Sequence, residues 1–209
     1  MRITDDVYML DCTPASHAYL LLGPETMLVD TSMPGRAHKI LAEFGALKIS
    51  PRAVRHILLT HHDGDHIGSA AVLERETGAT VWASAGDMPF IRGDRPRPGI
   101  KRLASALMRP EIPPALITYP ADNRVGEVEV IPTPGHTPGH VCLLFRGVLL
   151  AGDLVAVRNG RIRPSPPLMT WDMALVMESI RKVAPLPFKW VCPAHGLPVQ
   201  RGDQWEKIA

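Results

Sequence analysis

The chain has 209 residues, 45% hydrophobic and 21% charged, with a net charge of +2. That length suits a single domain over residues 1–209 with a full core. The near-neutral balance gives no general pull toward nucleic acid or a membrane surface.

The first third is β-rich. Val7 to Leu10, Ala18 to Leu22 and Met27 to Val29 are expected as strands, punctuated by Pro14 and by Gly23-Pro24. A helix follows, because Ala37, Ile40, Leu41 and Phe44 recur at helical spacing before Gly45. Ser50-Pro51 restarts the chain, and Arg55 to Thr60 reads as a buried strand through Ile57-Leu58-Leu59. Ile67 to Thr77 is expected as one helix closed by Gly78, and Thr80 to Ala83 as a strand. Residues 84–124 are rich in proline and are expected as a lid or pocket insertion. One amphipathic face, formed by Ile100, Leu103, Ala104, Leu107 and Met108, stands out there. The second half repeats the outline. Glu127 to Pro132, Val141 to Phe145, Val148 to Ala151 and Trp190 to Cys192 are strands. A helix capped by Thr170 carries Met173, Val176, Met177 and Ile180 on one face. Two halves of strands followed by helices imply an α+β fold, a four-layer αββα sandwich in which two mixed β-sheets are flanked by helices.

Cys12, Cys142 and Cys192 form no CxxC pair. Their odd number argues against a disulfide framework, so they are expected as small buried hydrophobes. The start, MRITDDVYML, carries acids where a secretory leader needs a basic region and a long apolar run. No apolar run approaches the roughly 18 residues of a membrane span. A cytoplasmic location without a membrane partner is the expectation.

The chemistry concentrates in four places. LTHHDGDHIG (Leu59 to Gly68) packs three histidines and two aspartates into six residues, His61 to His66. Such side chains are costly to desolvate and rarely crowd without a partner. TPGHTPGH (Thr133 to His140), LLAGDLV (Leu149 to Val155) and VCPAHG (Val191 to Gly196) each place His136, Asp153 or His195 just past an apolar run. Strand ends opening into loops are where rigid scaffolds carry reactive groups. Imidazole and carboxylate suit zinc, iron and manganese. Alternation in an extended loop lets His61, Asp63 and Asp65 face one side, with His66 turning inward from the following helix. His62 reads as a spacer and His140 as a possible outer partner of the site. His17, His38 and His56 read as structural or exposed. Gly64, Gly68, Gly135 and Gly139 are expected to permit tight backbone around the site.

LTHHDGDHIG, PGHTPGH, AGD and PAHG, in this order, resemble the metallo-β-lactamase-fold hydrolases over nearly the whole chain. The resemblance implies a dinuclear centre in a groove between the two sheets. One metal would be held by His61, Asp63 and His136, and the other by Asp65, His66 and His195. Asp153 would bridge them, with a water or hydroxide between. The family's usual pattern is H-x-H-x-D-H, and this sequence departs from it at Asp63. H-x-D-x-D-H variants occur in the family, among small stand-alone hydrolases and in nuclease-like domains of DNA-uptake channels. Two divalent ions bring four positive charges, which three carboxylates and a hydroxide cancel. The extra carboxylate weakens the metals as Lewis acids and tilts the first site toward manganese or iron, although zinc is the first choice.

The expected function is therefore hydrolysis of an ester, lactone or thioester in a small-molecule substrate by a metal-bridging hydroxide. Asp65 is the candidate proton shuttle to the leaving group. A phosphodiesterase or nuclease is the alternative, drawn from the carboxylate-rich site and from the basic residues of segment 84–124. A non-catalytic metal-binding scaffold and an iron dioxygenase are remoter. Glyoxalase II-like members append a glutathione-binding helical region, for which little chain follows His195. Flavodiiron members carry a flavodoxin domain, and true β-lactamases usually lack an aspartate at the place of Asp153. Met88, Phe90, Met108, Met169 and Trp171 could line an adaptable apolar pocket.

Overall fold

The computed structural model describes residues 1–96, Met108 and 110–209. Two six-stranded sheets carry the architecture. The first has the order β1 (Val7–Met9), β2 (Tyr19–Leu21), β3 (Thr26–Val29), β4 (Val54–Leu58), β5 (Thr80–Ala83), β6 (Leu116–Thr118). Its first three strands form an antiparallel meander, and its last three continue in parallel from β3. The second sheet contains β7 (Arg124–Val125), β8 (Val128–Pro132), β9 (Val141–Phe145), β10 (Val148–Gly152), β13 (Trp190–Pro193) and β14 (Val199–Gln200). Its order is β14-β13-β10-β9-β8-β7, antiparallel except for the β10–β13 pair. Between β10 and β13 lies a separate hairpin, β11 (Val155–Arg158) and β12 (Arg161–Pro164).

Among the described residues the α-helices are α1 (Ala37–Ala46), α2 (Gly64–Ile67), α3 (Ala70–Thr77), α4 (Met88–Arg92) and α5 (Met173–Val183). Strand alternation sorts the apolar side chains into three layers. Met27, Val29 and Leu58 meet Val130, Leu143, Leu150 and Cys192 between the sheets. On the outer face of the first sheet, Leu20, Leu28 and Ile57 pack on Ile40, Phe44 and Leu73 of the helices. On the outer face of the second, Cys142, Leu149 and Val191 pack on Val176, Ile180 and Val183 of α5. The αββα sandwich expected from the sequence is the observed fold.

Several local expectations are corrected. The helix expected from Ile67 to Thr77 is split at Gly68-Ser69. The His66 carbonyl accepts from the Thr31 amide (2.7 Å) and hydroxyl (2.8 Å), so it is not free to continue a helix. Gly68 lies against the Pro34 backbone, where a Cβ would fall 2.3 Å from the Pro34 nitrogen. Helix α5 is capped by Asp172, whose Oδ1 accepts from Ala174 N (2.8 Å) and Leu175 N (3.1 Å). Thr170 instead donates to Pro166 O. Helix α1 runs past Gly45 to Ala46. Part of the segment expected as an insertion is framework: Met88 and Ile91 join the first sheet's outer core, and β6 is that sheet's edge. The amphipathic face from Ile100 lies outside the described residues apart from Met108, which meets Gly64.

The hairpin β11–β12 and the C-terminal anchor Trp205 carry no helical or alternating signal long enough to have been read from the sequence. Trp205 is fully buried, donates its indole N–H to Ile180 O (3.1 Å) and meets Phe188 edge-on at 5.1 Å. Trp205→Ala is expected to destabilise the protein by about 3–5 kcal/mol, read as a lower urea midpoint at constant slope.

Candidate metal centre

The loops after β4, β8, β10 and β13 converge at one edge of the sandwich. They bring together all seven residues expected as ligands. Three groups have donor atoms that all lie within 4.8 Å of one another: His61, Asp63 and His136; His61, His66 and Asp153; and Asp65, His66 and His195. Asp153 stands between the rest. Its Oδ2 is 3.3 Å from both His136 Nε2 and His195 Nε2, and its Oδ1 is 3.5 Å from His66 Nε2. Asp63 Oδ2 is 3.1 Å from His136 Nε2 and 3.4 Å from His61 Nε2. Asp65 Oδ2 is 3.5 Å from His195 Nε2 and 3.9 Å from His66 Nε2.

The hydrogen bonds behind these residues fix which ring nitrogen faces the cluster. Thr60 donates its hydroxyl to Asp30 Oδ2 (2.7 Å), so at 3.0 Å it accepts from His61 Nδ1. His61 Nε2 then carries the lone pair. It is buried, has no hydrogen-bond partner, and points to the acids. His66 Nδ1 lies 2.8 Å from Asp30 Oδ2, which again leaves Nε2 for the cluster. His136 Nδ1 is held by Ser165 Oγ at 2.8 Å. His140 Nε2 accepts from the Asp153 amide (3.1 Å), so its Nδ1 donates to Thr133 Oγ1 (2.9 Å). His140 is thus a support that fixes the Asp153 backbone after Gly152, which takes φ +48.

Electrostatics agree with that geometry. Burial, then His66, drives the His61 pKa well below its usual value, and burial takes His140 down to about 3. Both are neutral rings; the His61 lone pair at Nε2 faces the cluster, while that of His140 is taken by the Asp153 amide. Burial would also lower His66 and His195, but nearby carboxylates outweigh it and raise both: Asp30 and Asp153 for His66, Asp153 for His195. Burial would raise Asp153, yet His66 and His136 hold it well below the carboxylate range. The acids therefore draw positive charge into the cluster. The orphaned His61 Nε2 and Asp153 Oδ1, both buried, are donor atoms that a divalent cation satisfies.

Two buried acids were missed in the sequence. Asp30 follows β3 with φ +55, and its Oδ1 accepts from Thr60 N at 2.8 Å. Asp87 is fully buried and accepts from His62 N (3.0 Å), Thr137 Oγ1 (2.7 Å) and Gly139 N (2.7 Å), with His62 Nδ1 at 3.1 Å. It ties the His61–His66 loop to the His136–His140 loop. A lone Asp in VDTS or AGDM has no spacing that marks it; only the fold puts it under the site. His62 is accordingly a structural partner of Asp87, stacked on Phe90 at 4.7 Å. His17, expected as structural, is buried and bonds through its amide to Ala194 O (2.9 Å), beside His195. Of the four glycines, Gly139 is, like Gly68, a close approach: a Cβ there would fall 2.4 Å from Asp87 N.

A cavity of about 360 Å³ opens over the cluster. Asp63, Asp65, His136, Asp153 and His195 form its floor, and Ala156, Val157, Arg158, Pro166 and Met169 its wall. Of the expected apolar lining, Met169 is present; Met88, Phe90, Met108 and Trp171 are not among the lining residues. No described residue of segment 84–124 lines it; among the described residues the wall comes from the hairpin β11–β12 and the turn after it.

Comparison with known proteins agrees with this architecture. The chain is 31% identical to the uncharacterised protein YobT of Bacillus subtilis over 94% of its own length and 91% of that protein's. It is 30% identical to a hydroxyacylglutathione hydrolase of Cereibacter sphaeroides over 91% of this chain, and it spans 66% of that enzyme. Among solved structures, the metallo-β-lactamase family protein TTHA1429 of Thermus thermophilus superposes with a TM-score of 0.74 at 23% identity. That match covers 99% of this chain and 79% of that one. TTHA1623, solved in a di-iron-bound form, superposes with a TM-score of 0.70 at 26% identity, over 88% and 89%. The sequence profile of the metallo-β-lactamase superfamily matches residues 14–195, and the protein belongs to that superfamily as one of its metal-dependent hydrolases.

Proposed function

We propose that the protein is a single-domain dinuclear-metal hydrolase that cleaves an ester, lactone or thioester bond in a small molecule. One ion would sit with His61, Asp63 and His136, the other with Asp65, His66 and His195, and Asp153 would serve both. The observation that carries this reading is the convergence of seven donors in three overlapping groups, of which His61–Asp63–His136 and Asp65–His66–His195 share no residue and Asp153 lies close to histidines of both. Metals bound there supply an acidic, attacking water near neutral pH and polarise the oxygen of the scissile group.

The chain's own residues do the rest. Thr60 and Asp30 hold His61 and His66 with Nε2 toward the cluster, and Ser165 orients His136 in the same way. Ala156, Val157, Pro166 and Met169 keep bulk water off one side of the reacting bond. Asp65 is the most exposed of the three cluster acids, with 24% of its side chain open against 12% for Asp63 and 11% for Asp153. It is placed to hold a proton and pass it to the departing oxygen or sulfur. The relatives named hydroxyacylglutathione hydrolase favour a thioester within this range. Three free thiols suit a reducing cytoplasm. Among the described residues no helix is long and apolar enough to cross a membrane.

The test is turnover by zinc-, manganese- and iron-loaded protein of p-nitrophenyl acetate, lactones, acyl thioesters and bis-p-nitrophenyl phosphate. Carbonyl substrates should turn over. Turnover of the phosphodiester alone would favour the nuclease-like reading. Zinc is the first choice of metal. An Asp63→His variant is expected to keep two metals and to shift preference away from manganese and iron toward zinc, measured by competitive metal loading. Unchanged preference would place Asp63 outside the coordination sphere.

A further inference from the structure

The sequence pointed to segment 84–124 as a basic wall, most of whose basic residues lie outside the described residues; among the described residues the cavity is walled by another basic element. In hairpin β11–β12, Arg158 pairs with Arg161 and Ala156 with Arg163. Residues directly opposite in an antiparallel pair share a face. One face therefore carries Ala156 and three arginines, while Val157 and Ile162 on the other are buried against the second sheet. Like charges directly opposite each other are unfavourable. No carboxylate among the described residues forms an ion pair with Arg158, Arg161 or Arg163, although Arg2, Arg75, Arg124, Arg146 and Arg201 all have one. The turn that brings them together, Asn159-Gly160, takes φ of +52 and +71, the left-handed pair that a tight hairpin requires. This charge is held in place by backbone geometry and lacks a counter-ion among the described residues.

Its position gives it a use. Arg158 and Ala156 both line the cavity, and among the described residues Arg158 is the only lysine or arginine that does. Arg158 shares the cavity with the acid–histidine floor and with the apolar Ala156, Pro166 and Met169. A ligand suited to this lining combines a hydrolysable carbonyl, a short apolar stretch and an anion. We propose that Arg158, backed by Arg161, is a specificity-determining residue that binds the terminal carboxylate of an anionic acyl ester or thioester. This deepens the hydrolase reading above and rests on it for the position of the scissile bond. Guanidinium pairs with carboxylate through two parallel hydrogen bonds, which would set the length of substrate accepted.

Binding and turnover separate the two ideas. The probes are N-(4-nitrophenyl)glutaramic acid and its neutral analogue N-(4-nitrophenyl)butyramide, titrated calorimetrically into metal-loaded protein. The acid should bind about tenfold tighter than the neutral amide. Arg158→Ala should erase that difference, Arg158→Lys should keep part of it, and raised salt should weaken it. Equal binding of the two probes, or a preference that survives in the Arg158→Ala, Arg161→Ala double variant, overturns the proposal. The matched esters, mono-p-nitrophenyl glutarate and p-nitrophenyl butyrate, report on hydrolysis. If neither ester is cleaved the hydrolase reading fails, while the calorimetric comparison still decides the role of Arg158.

Discussion

Replacing Asp153 by alanine is expected to lower kcat/KM by at least about 10³-fold, beyond the 10–100-fold typical of losing a group that only supports a metal ligand. The reason is its place between both triads. Asp153 approaches His66, His136 and His195 at 3.3–3.5 Å, so its loss removes the carboxylate common to the two positions. It also leaves three imidazoles of one cluster without the anion that offsets their mutual repulsion. The check is kcat/KM alongside metal content. The account predicts that both fall together, with the variant folded. Asp153→Asn keeps the shape but removes the charge, and it should fall nearly as far. Near-native activity in either variant would mean that Asp153 is only a turn residue after Gly152.

The second large effect is expected at Asp87, a residue that touches neither the cavity nor a metal triad. Asp87→Ala leaves the His62 amide and ring, the Thr137 hydroxyl and the Gly139 amide facing an empty pocket. Removing one partner of a buried charged network costs about 3–5 kcal/mol. Because Asp87 joins the loops that carry His61, Asp63 and His136, activity should drop about 10–100-fold in the fraction that folds. Chemical denaturation and kinetics measure the two separately. The stability difference also has a defined pH dependence. Burial would raise the Asp87 pKa, but hydrogen bonding and charge from His62, with Thr137 and Gly139, outweigh it and hold the group below its usual value. The unfolded chain therefore binds this proton more readily than the native one. The contribution of Asp87 is complete above the unfolded carboxyl value of about 4. It is lost as pH falls from there through the folded value, so the stability gap between wild type and Asp87→Ala should be full at about pH 6 and narrow as pH falls below about 4.

How much of this was legible in the sequence follows from the kind of signal each element leaves. Short continuous apolar runs such as Met27 to Val29 and Val148 to Ala151, and the helical stripe of Val176 and Ile180, are local signals, and the layers follow from them. The seven acid and histidine residues of the site were legible because dense polar clusters at strand ends are rare without a shared partner. Asp30 and Asp87 were not, since each is a single carboxylate in an ordinary loop and gains its donors only when distant segments meet. The break at Gly68 was hidden for a similar reason: Thr31, 35 residues upstream of His66, takes the carbonyl that a continuous helix would use. The hairpin β11–β12 was overlooked because VAVRNGRIRP mixes arginines with short apolar runs, although its Asn-Gly turn is the signal that could have found it. The basic residues expected to wall the site from segment 84–124, Arg97, Lys101, Arg102 and Arg109 among them, lie outside the described residues.

The central claim is a two-ion centre built from the two triads and Asp153. The measurement that reaches it most directly is metal content per chain, by elemental analysis after reconstitution and desalting, for the wild type and for His136→Ala and His195→Ala. The account predicts two ions in the wild type and one in each variant, since each substitution opens a different triad. Less than one tightly bound ion in the wild type, or two ions retained in both variants, would contradict it.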